Sequence, residues 1–494
     1  MRTSVTLQVL LFAAGAAALA QSLGTFGQTG QLTTMRTSHT ATLLPNGKVL
    51  IAGGWAALDG WPVWSSAELY DPSAHTFALT GAMAVPRWGH AATLLPDGRV
   101  LITGGQSTHY VSPVLSLASA ELYDPSTGTF SPAGNMTTAR AFHTAILLNN
   151  GKVLIGGGQG NGADGYFSNL SSAELYDPAT GSFTATGNMV EARPAPVPTL
   201  LATGKVLIGG VGVGPADSID LASAELYDPA AGTFTLTGLL PYTNESRITG
   251  TLLPNGSVLG TFFDYASDDG SSDSAALYNA STGTFAPAAK MTTQRIFVTS
   301  TLLPDGRVLI DGQDDNEPYG FGGSAELYDP VEGSFTATAA AFPQSEEGHT
   351  ATLLTDGTVL LAGGWIAGSS LASAQIYSPV VLIPSPVLFS LPGGAQGAIW
   401  DPTTGQIASS QNPAAAGEIL SMYTTGLIEG GAIPPQVAVG GQLAEILYFG
   451  DAPGYPGYFQ VNFRVPNGVA AGSAVPVRLT YLSRPSNAVT IGVQ

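Results

Sequence analysis

The chain has no cysteine among its 494 residues, which excludes disulfide bridges, thiolate metal sites and cysteine nucleophiles. Charge is also scarce. Charged residues make up 10%, and 16 Lys and Arg stand against 35 Asp and Glu for a formal net charge of −19. That balance repels nucleic acid and anionic membrane surfaces, so neither is an expected partner. Long apolar runs are missing beyond the first twenty residues. The one run is Val5 to Leu19 in "MRTSVTLQVLLFAAGAAALAQS", which follows a single Arg and leads into Ala18-Leu19-Ala20, a small-x-small cleavage pattern before Gln21. Residues 1–20 therefore read as a signal peptide. Its removal leaves no membrane span and a mature chain that is secreted or at the cell surface.

What the chain has in abundance is turn formers, 63 Gly and 34 Pro, within a composition that is 44% hydrophobic. This describes a turn-dense globular protein. The phrase "SSAELYDPATGSF" at 171–183 recurs along the chain, placing its tyrosine at Tyr70, Tyr123, Tyr176, Tyr227, Tyr278, Tyr328 and Tyr377, a period of 49 to 53 residues. Such a period marks a propeller or solenoid. Each unit also holds an earlier phrase such as "HTATLLPNGKVLIAGG", two apolar runs around Asn46-Gly47, with Asp97-Gly98, Asn150-Gly151, Asn255-Gly256, Asp305-Gly306 and Asp356-Gly357 as counterparts. These dipeptides predict hairpins with type I′ turns. The Asp-Pro-x-x-Gly of the tyrosine phrase predicts a second hairpin. Four antiparallel strands per unit follow.

The Gly-Gly doublets (Gly53-Gly54, Gly104-Gly105, Gly157-Gly158, Gly209-Gly210, Gly363-Gly364), the downstream Tyr and the fourth-strand aromatic resemble the kelch repeat over residues 23–380. Gly260-Thr261 and Asp311-Gly312 stand where two doublets are expected. The resemblance implies an all-β fold, a seven-bladed kelch-type β-propeller. The seventh unit lacks a fourth strand, and "LGTFGQTGQL" at 23–32 looks like one, so the N-terminal strand is expected to close the seventh blade. After Pro379 the period stops. Residues 384–494 predict a small antiparallel sandwich, and "FGDAPGYPGYFQVNFRVPNGV" resembles an immunoglobulin-like carboxy-terminal module of bacterial secreted proteins. Strand direction places this module on the Asn-Gly turn face or the flank, leaving the long-loop face open.

A kelch propeller with an appended sandwich also resembles galactose oxidase, a copper radical family that needs a Cys–Tyr crosslink and a histidine from the last domain. With no Cys and no His after His349, that activity is not expected. G-x-S-x-G is absent too, so no catalytic residue is assigned and no cofactor is expected. His39, His90, His143 and His349 recur at one position of units one, two, three and seven. Structural hydrogen bonding is the expected role, since zinc would need them to converge on one point. Asp264, Asp268, Asp269 and Asp273 in "DYASDDGSSD" are a candidate Ca²⁺ site, and with Asp314, Asp315 and Glu317 a candidate acid/base set, although the spacing is not that of an EF-hand. Arg36, Arg87, Arg140, Arg193 and Arg295 occur in the units that also carry Glu68, Glu121, Glu174, Glu225 and Glu326. Units five and seven lack both partners, which predicts five intra-blade ion pairs. Trp55, Trp61, Trp64 and Trp365 follow the doublets of neighbouring units, and unit two adds His109 and Tyr110. We take these as a ligand-binding aromatic platform, with Trp61 and Trp64 the most exposed. The expected function is binding of a glycan or a surface protein through the long-loop face. The alternatives are a polysaccharide hydrolase or lyase using loop carboxylates, and a structural envelope protein.

Overall fold

In the computed structural model the described residues are 23–109, 115–162, 167–210, 212, 213, 219–221, 223–241, 245–264, 272–314, 323–338, 348–366 and 368–494. Every regular element among them is a β-strand, and no helix is long and apolar enough to cross a membrane. Each repeat forms its two hairpins. In unit one Thr40–Leu43 pairs with Val49–Ala52, which pairs with Ala67–Asp71, which pairs with Thr76–Leu79. The first strand is innermost, and the innermost strands of successive units touch in a closed cycle that returns from Thr350–Leu353 to Thr40–Leu43. Among the described residues each repeat unit forms a four-stranded sheet of its own. In the seventh the fourth strand is the N-terminal Thr25–Gln28, antiparallel to Ala374–Ser378 with Phe26 opposite Tyr377.

The core lies between sheets. Second strands such as Val49–Ala52 and Val153–Gly156 are wholly buried, as strands covered on both faces must be. The seven repeat tyrosines are buried to within 1%, and each tilts onto a fourth-strand phenylalanine with ring centroids 4.7–5.0 Å apart. For Tyr377 that phenylalanine is Phe26 of the N-terminal strand. The hydroxyls reach across sheets: Thr29, Thr80, Thr186 and Thr237 meet Tyr70, Tyr123, Tyr227 and Tyr278 at 2.8–2.9 Å.

The inner hairpin turns differ from expectation. A type I′ turn needs positive φ at two residues, yet Gly47 (φ 82°) is left-handed and Asn46 is not. The Gly47 N–H donates to Leu44 O and the Leu44 N–H to Lys48 O, which is a type I turn closed by a glycine bulge. Loop length is the reason: three residues, Pro45, Asn46 and Gly47, separate the bonded Leu44 and Lys48, one more than a type I′ turn holds, and units three, four and seven make the same bonds with Asn149, Ala202 and Thr355 in place of proline. Register corrects three further positions, since Val206 faces Tyr227 and Gly210, not Gly209, opens the doublet position of unit four. Val258 faces Tyr278 and Val308 faces Tyr328, as Val49 faces Tyr70, so Phe262-Phe263 and Gly312-Gln313 occupy the doublet positions. Gly260-Thr261 and Asp311 lie inside the second strands.

Residues 384–494 build two further sheets. One holds Ile399–Trp400, Ile419–Thr424, Phe459–Arg464 and Glu445–Asp451, the other Gln442–Leu443, Gln436–Val439, Gly472–Tyr481, Arg484–Pro485 and Val489–Val493. Leu420, Met422, Val461 and Phe463 of the first share an apolar core with Val437, Val477, Leu479 and Ile491 of the second. This domain docks on the Asn-Gly turn face. The Ala432 N–H donates to Pro254 O at 2.7 Å and the Ser385 N–H to Thr355 O at 2.6 Å, and Gly441 sits so close to Asp97 that a Cβ would lie 3.2 Å from its side chain.

Candidate functional site

The doublet starts the site. Gly54 leaves the sheet with φ 91°, and an added Cβ there would meet Thr37 O at 2.6 Å, so only glycine lets the chain turn outward. Trp55 then bridges Thr37 and Val63. The loop folds back on itself through Ala56 N–H to Pro62 O and Trp61 N–H to Leu58 O, and the Ala57 N–H anchors it to Ser370 Oγ of unit seven at 2.8 Å.

Four rings gather here. His109 stacks on Trp55 with centroids 4.1 Å apart and planes 14° apart, and presents an edge to Trp88 at 4.6 Å. Trp61 tilts over Trp55 at 5.5 Å and His109 at 5.6 Å, and Trp88 continues to Phe142 at 5.1 Å. Burial holds the His109 imidazole below its ordinary pKa, so it is a neutral ring at pH 7. Trp61 is 38% exposed beside Leu58 at 47%, and its backbone is left-handed at φ 48°, a conformation a bulky residue adopts only where its surroundings impose it.

The expected platform is therefore narrowed. The structure brings Trp55, Trp61 and His109 together. Trp64 is half-buried with its Nε1–H on Met35 O at 3.0 Å, because the Trp64 N–H to Gly54 O bond turns it back onto the sheet. Trp365 lies in a separate hairpin, Trp365–Ile366 against Ser369–Ser370, and its Nε1 is buried without an acceptor among the described residues. Tyr110 lies outside the described residues. Trp88 was missed by sequence reasoning. The signal was "RWGH", an indole two residues before the recurrent His90, and the Trp88 backbone bridges Gln106 just past Gly104-Gly105.

The other candidates are brought into separate structural arrangements. All five Arg–Glu pairs meet within their units at 2.7–3.1 Å, with the Arg side chains fully buried. Each Glu also caps the chain entering its unit, as when Glu68 accepts the Thr33 N–H at 2.6 Å. Arg36, Arg87, Arg140 and Arg193 accept, through their carbonyls, the N–H of Gly364, Gly54, Gly105 and Gly158 of the preceding unit. These residues tie neighbouring sheets together. The histidines do likewise: His39, His90, His143 and His349 place Nε2 at 2.5–3.2 Å from Thr350, Thr40, Thr103 and Asp311 of the preceding unit. Burial, reinforced by the neighbouring arginine, pushes His39 and His143 well below the usual imidazole range and His90 down to about 3.

Among the described residues no three His, Cys, Asp or Glu side chains are placed to share a metal ion. Asp273 of the acidic loop pairs with Lys290 at 2.8 Å, Asp264 ends the strand Val258–Asp264, and Asp268, Asp269, Asp315 and Glu317 lie outside the described residues.

No family model matches the chain. It is 28% identical to a galactose oxidase of Gibberella zeae over 227 residues, 42% of this chain and 30% of that protein. It is 22% identical to alpha-scruin of Limulus polyphemus over 208 residues, 42% of this chain and 22% of that protein. The chain thus spans under a third of the length of these curated relatives. A solved fungal alcohol oxidase of the AA5 family, in complex with copper, superposes with a TM-score of 0.60 at 17% identity over 96% of this chain and 100% of its own. These likenesses support a kelch-type β-propeller fold. This chain has no cysteine, and its four recurrent histidines hydrogen-bond to the preceding units.

Proposed function

We propose that the chain is a secreted binding protein, a propeller of seven blades with an immunoglobulin-like module at 384–494, and that it recognises a glycan through the aromatic cluster on its long-loop face. The observation that carries this reading is Trp61, a partly exposed indole held in left-handed backbone over stacked Trp55 and His109. A fixed flat ring suits the apolar face of a sugar, and its preorganisation saves the ordering cost a mobile side chain would incur. Retention on a panel of immobilised polysaccharides, with release of soluble products scored separately, tests it. We expect retention without new ends, weakened roughly tenfold or more in Trp61→Ala, as for anchor aromatics generally. Release of new ends would favour a hydrolase or lyase working through the loop carboxylates. Capture of a surface protein in place of any glycan would redirect the same site. Neither signal would favour a structural envelope role.

A further inference from the structure

The axis of the propeller holds a solvent-open cavity of about 650 Å³, lined by the innermost strands of all seven units and floored by Gln436, Ala438, Arg478, Thr480 and Ser483 of the C-terminal domain. Its lining contains no Asp or Glu, and one cation, Arg478. Among the described Lys and Arg side chains every other cation except Arg484 has a carboxylate oxygen at 2.6–3.2 Å. Arg484 is fully buried and donates from Nη1 to Ile383 O at 2.6 Å, where it ties the interdomain linker. Arg478 makes no such bond. Its Nε is buried without an acceptor, and burial alone, with no nearby acid to offset it, depresses its pKa. Along Gly472–Tyr481 the side chains of Val475, Val477, Leu479 and Tyr481 enter the domain core, so Arg478 and Thr480 occupy the opposite face, towards the axis. Threonines 42, 301 and 352 add hydroxyl-bearing side chains to the wall.

In a chain of net charge −19, a guanidinium left without a carboxylate in a cavity free of acids is a site for an anion supplied from outside. A guanidinium offers a planar fork of donors that matches an oxyanion. We propose that Arg478, with the hydroxyls around it, binds a small oxyanion in the axial cavity, either an inorganic sulfate or phosphate or the carboxylate of a free acidic sugar, entering from the end opposite the C-terminal domain. This site is distinct from the rim aromatics.

Calorimetric titration of the full chain with sodium sulfate, sodium phosphate and sodium glucuronate, at constant ionic strength set with sodium chloride, tests the proposal. Saturable binding of at least one is expected, weakened tenfold or more in Arg478→Gln. Ala438 faces Arg478 across the ladder, so Ala438→Asp supplies an internal carboxylate. It should abolish binding while leaving the folded state at least as resistant to heat. Response to the inorganic ions alone or to glucuronate alone assigns the source. No saturable binding by the wild type, or equal binding in either variant, would overturn the proposal.

Discussion

Glu174 and Arg140 show how much one residue carries. Both side chains are fully buried, and Glu174 also accepts the Thr137 N–H at 2.7 Å, while Arg140 donates to Gly157 O and Ser172 O. Glu174→Ala strands a guanidinium and should lower unfolding free energy by about 3–5 kcal/mol in urea titration. The double variant Arg140→Met/Glu174→Leu removes both charges yet leaves the Thr137 N–H and Gly157 O without partners, so a deficit of about 1–3 kcal/mol should remain. Histidine gives the pH dependence. His39, His90 and His143 have native pKa values below their unfolded value, so the unfolded chain binds more protons between the two. Their contribution is complete above pH ~6.5 and falls as pH drops towards the native value, about 3 for His90, with a slope of about 1.4 kcal/mol per pH unit for each histidine. Urea midpoints measured from pH 7 to 4 should fall steadily, and less steeply in His90→Gln. The Arg–Glu pairing was legible because both partners vary together across seven copies. Trp88 was not, since a single indole has no repeat to compare with. Trp64 misled because its exposure depends on which way one loop bond turns it.

Elements were legible wherever the chain repeats itself. The alternation and turn residues give each strand, and the missing fourth strand of unit seven points to residues 23–32. The turn type and the three displaced doublets were not legible from dipeptides. The first is set by the three-residue loop between the paired Leu44 and Lys48, and the second by register, which moves the doublet one residue on in units four and six and two in unit five. The N-terminal strand carries a prediction of its own. Phe26 packs on Tyr377, and the Tyr377 hydroxyl donates to Leu23 O. Deleting residues 23–32 uncovers the edge of Ala374–Ser378 and leaves Tyr377 without its ring partner. Unpaired edges recruit other edges, so size-exclusion chromatography should show concentration-dependent oligomers, and melting should occur at lower temperature than in the full chain. A monomeric, equally stable deletion variant would show that the strand is dispensable.

At the scale of the whole molecule, the repeat period speaks for a ring, while the loops that decorate it follow no rule the period can supply. The docking side of the C-terminal domain was legible from strand direction. The axial cavity it floors was not, because no local pattern marks a residue that lines a space assembled from seven distant units and a second domain. The same closure has a temporal side. Tyr377 and Leu23 lie 354 residues apart in sequence, yet their bond completes the ring. At synthesis rates of roughly 5–20 residues per second, the first strand waits on the order of 20–70 s for its partner, while the intervening sheets can form from local hairpins as they emerge. The ring can therefore lock only at its own beginning, and until then its earliest strand, Thr25–Gln28, is the one without a place.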